Sequence, residues 1–121
     1  MAKIMIIDDS RILRRILTTT LTDAGHEVVA DAGNGKEGLM LLDKVTPDLI
    51  TLDITMPVMD GLEALPKIRE KSPSTKVIMV SAAGQKNKVM EALKLGARDF
   101  LQKPFEPENV IEIVDRVMAQ P

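Results

Sequence analysis

Asp8, Asp9 and Asp53 stand at the ends of two short apolar runs, Ile4-Met5-Ile6-Ile7 and Leu49-Ile50-Thr51-Leu52. Runs of this kind, bounded by acidic and turn residues, read as strands buried on both faces, and such strands expose side chains only where they end. Three acids delivered to strand ends can meet one ion. Oxygen-only ligands favour a hard cation, and Mg²⁺ takes one or two carboxylates together with waters and a phosphate oxygen. Crowded carboxylates also repel one another, so without a metal at least one of them should hold its proton more tightly, and metal binding should depend on pH. A carboxylate oxygen can in addition attack a phosphoryl group and form an acyl phosphate when cations neutralise the transferring oxygens. Asp53 is the candidate nucleophile. Lys103 is the candidate cation, and Ser81 offers a hydroxyl to another phosphoryl oxygen.

The elements that would position these residues are readable from periodicity. Apolar runs of about five residues alternate with amphipathic stretches, the pattern of repeated βα units around a parallel sheet. Strands are expected at 3–7, 27–31, 48–52, 76–80 and 99–102, and helices at 11–24, 36–44, 62–71, 86–95 and 107–118. Ser10 and Glu106 are start signals, and Gly25 and Gly96 are stop signals. Pro107 suits a first helical turn, whereas Pro66 falls inside the third helical stretch and should shorten or bend it. In this layout Asp8, Asp9, Asp53, Ser81 and Lys103 all lie at carboxyl ends of strands, where open doubly wound sheets bind ligands. Gln102-Lys103-Pro104-Phe105 directly follows a strand, which makes the bond before Pro104 a candidate cis peptide able to aim Lys103 inward.

Composition excludes several classes. The 121 residues fit one domain, 1–121, with no low-complexity segment or linker. There is no Cys, hence no disulfide, thiolate ligand or Cys nucleophile. A formal charge of −2 gives no overall attraction to nucleic acid or to anionic membrane. Phe100 and Phe105 are the only aromatics, so stacking surfaces for flavins or single strands are missing, and the eight Met residues suit core filling and interface padding. With no secretory signal and no apolar stretch of about twenty residues, a soluble cytoplasmic protein is expected.

Taken together, Ile7-Asp8-Asp9-Ser10, Leu52-Asp53-Ile54-Thr55-Met56-Pro57, Met59-Asp60-Gly61, Val80-Ser81-Ala82 and Lys103-Pro104-Phe105 resemble the response-regulator receiver domain over the whole chain. The chain looks most like the stand-alone, CheY-type chemotaxis receivers. That resemblance, rather than the pattern, implies a (βα)5 doubly wound, flavodoxin-like three-layer sandwich with strand order 2-1-3-4-5. It also implies that Asp53 accepts a phosphoryl group from a histidine kinase or phosphotransfer domain. Asp8, Asp9, Asp53 and the backbone carbonyl of Thr55 would hold Mg²⁺, and Lys103 would pair with the phosphoryl group. Ser81 would be the switch hydroxyl and Phe100 the aromatic that turns inward, remodelling the face made by the fourth helix, fifth strand and fifth helix. Thr55 and Ala83 occupy the positions that tune phosphate lifetime. Neither supplies an amide or acid to assist a water, so a separate phosphatase is expected. On this reading the protein acts on no substrate beyond its own phosphorylation and dephosphorylation. It signals as a monomer through a target that could be the flagellar motor switch.

Each residue also has a plainer reading. Asp8-Asp9 can be a turn and helix cap, Asp53 a turn former, Ser81 a loop hydroxyl, Lys103 a solvated charge and Phe100 a core residue. Arg11, Arg14 and Arg15 share the face of the first helix opposite Leu13, Leu17, Leu21 and Ala24. Such a face is usually solvated, but beside Asp9 these arginines and Ile12 could dock a phosphohistidine bundle. Val110, Val114 and Val117 form a core stripe on the last helix. Ile111 and Met118 lie to one side of it and, with Lys86, Lys88 and Arg98, could form a second interaction face. His26 is expected to be a plain surface residue.

Two other classes are disfavoured. A haloacid-dehalogenase-type phosphatase needs an acid two residues after the nucleophile, where this chain has Thr55, and a flavodoxin needs a hydroxyl-rich loop where this chain has Asp8-Asp9. A receiver cut from a DNA-binding regulator, a phosphorelay module and a non-phosphorylated interaction module stay open, although the stop at Ala119-Gln120-Pro121 favours the stand-alone form.

Overall fold

Five βα units follow one another along the chain: β1 (Lys3–Ile7), α1 (Arg11–Asp23), β2 (Glu27–Ala32), α2 (Gly35–Leu41), β3 (Leu49–Asp53), α3 (Gly61–Lys71), β4 (Lys76–Ser81), α4 (Lys86–Lys94), β5 (Asp99–Gln102) and α5 (Pro107–Met118). They were obtained from a computed structural model that describes residues 1–121. The strands form one parallel sheet in the order β2-β1-β3-β4-β5. No helix is long and apolar enough to cross a membrane.

Side-chain alternation along the strands splits the core into two layers. Met5, Ile7, Ile50, Leu52, Val77 and Met79 point to one face, where Leu65 and Ile68 of α3 and Val89 and Ala92 of α4 cover them. Ile4, Ile6, Leu49, Ile78 and Leu101 point to the other, against Leu17 and Leu21 of α1 and Val110, Ile113, Val114 and Val117 of α5. The central strands are buried on both sides, which is why their sequences are continuous apolar runs rather than alternating ones.

Local chemistry sets the helix ends. The Ser10 hydroxyl accepts from Leu13 N–H at 3.2 Å, and Asn34 Oδ1 accepts from Glu37 N–H at 3.0 Å. Asp60 and Glu63 form a reciprocal capping box at the start of α3. At the other ends Gly25 (φ +91°) and Gly96 (φ +107°) adopt the left-handed conformation. The residues after them close the turns by donating to Leu21 and Ala92 carbonyls at 3.0 Å.

Several expectations are corrected here. The strands and helices match in number and order; β1, β5 and α5 have the expected bounds, and the other elements differ at one or both ends. Asp53 is the last residue of β3 rather than the residue beyond it, and α2 ends at Leu41 because residues 42–44 turn away. Pro66 does not shorten α3: it lies on the exposed side, where water can replace the hydrogen bond its ring removes. Ala24 is exposed rather than part of the apolar stripe of α1. His26 is not a plain surface residue. Its Nδ1 accepts from Ala2 N–H at 3.0 Å, so Nε2 carries the ring proton and faces Asp115 Oδ1 at 3.2 Å, tying the start of the sheet to α5.

One polar atom in the core has no partner. Thr51, in register with Ile6 on one side and Ile78 on the other, is buried, and its Oγ1 makes no hydrogen bond. Desolvating a hydroxyl without compensation costs about 1–3 kcal/mol. Thr51→Val, which keeps the shape and removes the hydroxyl, is expected to raise stability by about 1 kcal/mol in urea denaturation, and an unchanged or lower midpoint would contradict this assignment.

Candidate functional site

The three acids meet at the carboxyl edge of the sheet. Their ligand oxygens lie within 4.8 Å of one another, with Asp8 and Asp53 buried and Asp9 exposed. Asp8 leaves β1 with its N–H bonded to Ala32 O at 3.0 Å. One of its oxygens, Oδ1, accepts from Ser10 N–H at 2.8 Å. The other, Oδ2, is buried without a hydrogen-bond partner, though the Lys103 ammonium stands 3.4 Å away. Lys103 Nζ donates to Asp53 Oδ2 at 3.3 Å. One ammonium thus serves two buried carboxylates, and an orphaned oxygen faces the site. That charge deficit and the hard oxygen donors fit a divalent cation of the Mg²⁺ type.

The scaffold fixes these groups through backbone contacts. Ile54 N–H bonds to Val80 O at 3.0 Å, holding the end of β3 against β4. Lys103 N–H bonds to Ser81 O at 2.7 Å, and the Lys103–Pro104 bond is cis, as the post-strand turn suggested. Gly61 lets the start of α3 approach β3 closely: a Cβ there would come 2.2 Å from the Asp53 carbonyl oxygen. The connecting loop makes a tight turn, with Met59 N–H on Pro57 O at 2.7 Å and Val58 at φ +67°. A β-branched residue adopts that conformation only under strain, and such strain gathers at functional sites.

Burial raises the pKa of Asp53 from 3.8 to about 6. Repulsion by Asp8 adds to the effect, while the Lys103 charge and hydrogen bond oppose it. Crowding of acids was expected to raise one pKa, and the group that responds is the candidate nucleophile.

Of the sequence candidates, Asp8, Asp9, Asp53, Ser81 and Lys103 converge on this edge. Ser81 closes β4 with its side chain buried, and Thr55 and Ala83 lie exposed beside it on the two flanking loops. Phe100 is not core: it is 40% exposed and borders a groove of about 260 Å³ with Val89, Met90 and Gln102. Arg14 is not part of a free basic face, because its Nη1 donates to Asp8 O at 2.6 Å and its Nε pairs with Asp31 Oδ2 at 3.3 Å. Arg11, Ile12 and Arg15 stay exposed. Lys86 and Lys88 are exposed at the start of α4, whereas Arg98 is engaged with Gln120 Oε1 at 3.2 Å. Ile111 and Met118 are half-buried, and Met118 packs on the core.

Two contributors were missed. Arg14 braces the Asp8 backbone, a role hidden by its helical spacing. Gln85 bridges Thr55 Oγ1 (2.6 Å) and Ala82 N–H (2.7 Å), and its only signal in the sequence is a polar residue just before a helix.

The profile of the response regulator receiver domain matches residues 4–115. The chemotaxis protein CheY of Listeria monocytogenes is 49% identical over 116 residues, covering 96% of this chain and 98% of that protein. CheY of Thermotoga maritima is 42% identical, covering 95% of this chain and 96% of that protein. Among solved structures, the receiver domain of NtrX from Brucella abortus superposes with a TM-score of 0.91 at 30% identity, over 98% of this chain and all of that one.

The raised pKa of Asp53 has a definite sign in stability. The unfolded chain loses this proton at a lower pH than the folded one, so the folded state binds more protons in between, and stability falls as pH rises from 3.8 to about 6. Without Mg²⁺, Asp53→Asn is therefore expected to be more stable than the parent by about 1–3 kcal/mol at pH 7, with the gain vanishing near pH 4, in denaturation across pH. A gain independent of pH would contradict the assignment.

Proposed function

The chain belongs to the response regulator receiver family, and from that we propose that it is a phosphorylation-activated switch in which Asp53 accepts a phosphoryl group from a histidine kinase or phosphotransfer domain. The observation that carries this reading is the single Lys103 ammonium shared by Asp8 and Asp53, beside a buried Asp8 oxygen that lacks a partner. In the transfer an Asp53 oxygen attacks phosphorus. The P–O bond forms as the donor's P–N bond breaks, and the electron pair leaves with the donor imidazole, which takes up a proton. Lys103 neutralises a transferring oxygen, and the Ser81 hydroxyl donates to another. Asp8, Asp9, Asp53 and the Thr55 carbonyl would hold Mg²⁺, which supplies further positive charge to the phosphoryl oxygens.

Output would follow from the aromatic beside the site. Phe100 stands exposed at the α4–β5 groove, and its inward rotation on phosphorylation would reshape that face for a downstream protein. End-to-end similarity to proteins named for chemotaxis favours a chemotactic output, with a flagellar motor switch as the fitting target. The same reading takes residues 1–121 as one receiver domain that works as a cytoplasmic monomer and catalyses nothing beyond its own phosphoryl chemistry. Arg11, Ile12 and Arg15 remain available to a kinase, and Lys86 and Lys88 to either partner. Thr55 and Ala83, at the positions flanking the site, offer no amide or acid to orient a water. A separate phosphatase fits that arrangement.

Incubation with acetyl phosphate and Mg²⁺ is expected to add one phosphoryl group by intact mass. The adduct should be lost with EDTA and absent from Asp53→Asn. An adduct that persists in the variant would overturn Asp53 as the acceptor.

A further inference from the structure

Gln85 immediately precedes α4, yet its side chain does not cap that helix. A helix start without a side-chain cap forgoes stability, so the carboxamide is engaged elsewhere. Its Oε1 accepts from Ala82 N–H and its Nε2 donates to Thr55 Oγ1. The orientation follows from the partners, because a backbone N–H can only donate. The bridge therefore ties together two loops that leave adjacent strands, and the strand ends at their roots carry Asp53 and Ser81.

We propose that Gln85 is a positioning residue, a latch that holds the segment after Ser81 in its resting place and keeps Ala82 N–H occupied until a phosphoryl group arrives. The proposal rests on Asp53 being the acceptor. Ala82 N–H is the first backbone donor beyond β4, the strand hydrogen-bonded to β3, so it stands at the edge where a phosphoryl group on Asp53 would lie. A phosphoryl oxygen carries charge and accepts a stronger hydrogen bond than a neutral carboxamide, so it can displace Gln85 Oε1 from that donor. Displacement also releases the pull on Thr55, and both loops become free to move. Before transfer the same bridge opposes the movement. Gln85 thus slows phosphorylation without touching the reacting atoms.

The chain has no Trp or Tyr, so time-resolved intact mass with acetyl phosphate and Mg²⁺ is the suitable readout. Gln85→Ala and Gln85→Met, the latter keeping the length of the side chain, are both expected to be phosphorylated about threefold to tenfold faster than the parent, as the loss of a net hydrogen bond allows. Thr55→Val, which cuts one end of the bridge, should give a smaller rise, and combining it with Gln85→Ala should add nothing to Gln85→Ala alone. Mg²⁺ affinity of the two Gln85 variants by calorimetry should stay at the parent value. A change that merely weakened the fold would slow transfer, so a gain in rate is specific to the latch. Unchanged or slower variants, or additive effects in the double variant, would overturn the latch while leaving the acceptor in place. A parent that takes up no phosphoryl group would overturn the acceptor reading and the latch with it.

Discussion

One ammonium shared between two buried carboxylates is the constraint around which the molecule is arranged. Lys103 Nζ lies 3.3 Å from Asp53 Oδ2 and 3.4 Å from Asp8 Oδ2, and a third acid, Asp9, stands at the rim. A single cation cannot neutralise two desolvated anions, so the edge carries a deficit of positive charge. A metal ion reduces that deficit. The same arrangement that is costly in the resting protein favours a divalent cation and then a phosphoryl group.

The sheet makes this cost bearable. Each charged group hangs from the end of a strand whose interior is apolar, and neighbouring strands fix the ends through backbone bonds such as Ile54 N–H to Val80 O and Lys103 N–H to Ser81 O. The two core layers hold the strand ends in place from both faces. Gly61 allows α3 to start against the Asp53 backbone, and Arg14 grips the Asp8 carbonyl from the α1 side. Local strain at Val58 sits in the loop between Asp53 and α3, at the edge of the sheet rather than in the core.

Much of this was readable from residue order. Apolar runs ending in Asp8, Asp53 and Ser81 located three strands and their functional ends, because a strand buried on both faces leaves only its terminus for chemistry. Gly25 and Gly96 stopped helices for a reason local to their own backbones. What could not be read depends on contacts between distant segments. His26 looked like a surface residue because its partners, Ala2 and Asp115, come from the first strand and the last helix. Arg14 resembled a solvated charge because Asp8 reaches it only through the β1–α1 turn, and Gln85 gave no hint of Thr55, thirty residues earlier. The plainer reading of Phe100 as a core residue fails because it stands exposed at a groove beside α4, a contact between segments that residue type does not reveal.

The account turns on whether the crowded acids form a cation-dependent unit, and carboxylate-selective NMR of Asp53 across pH, with and without Mg²⁺, tests that most directly. Without the ion the Asp53 carboxyl should titrate near 6, and saturating Mg²⁺ should move its midpoint well below that value. A midpoint unmoved by Mg²⁺, or one in the ordinary carboxylate range without it, would show that the acids at this edge do not act together and would remove the physical basis for phosphoryl acceptance.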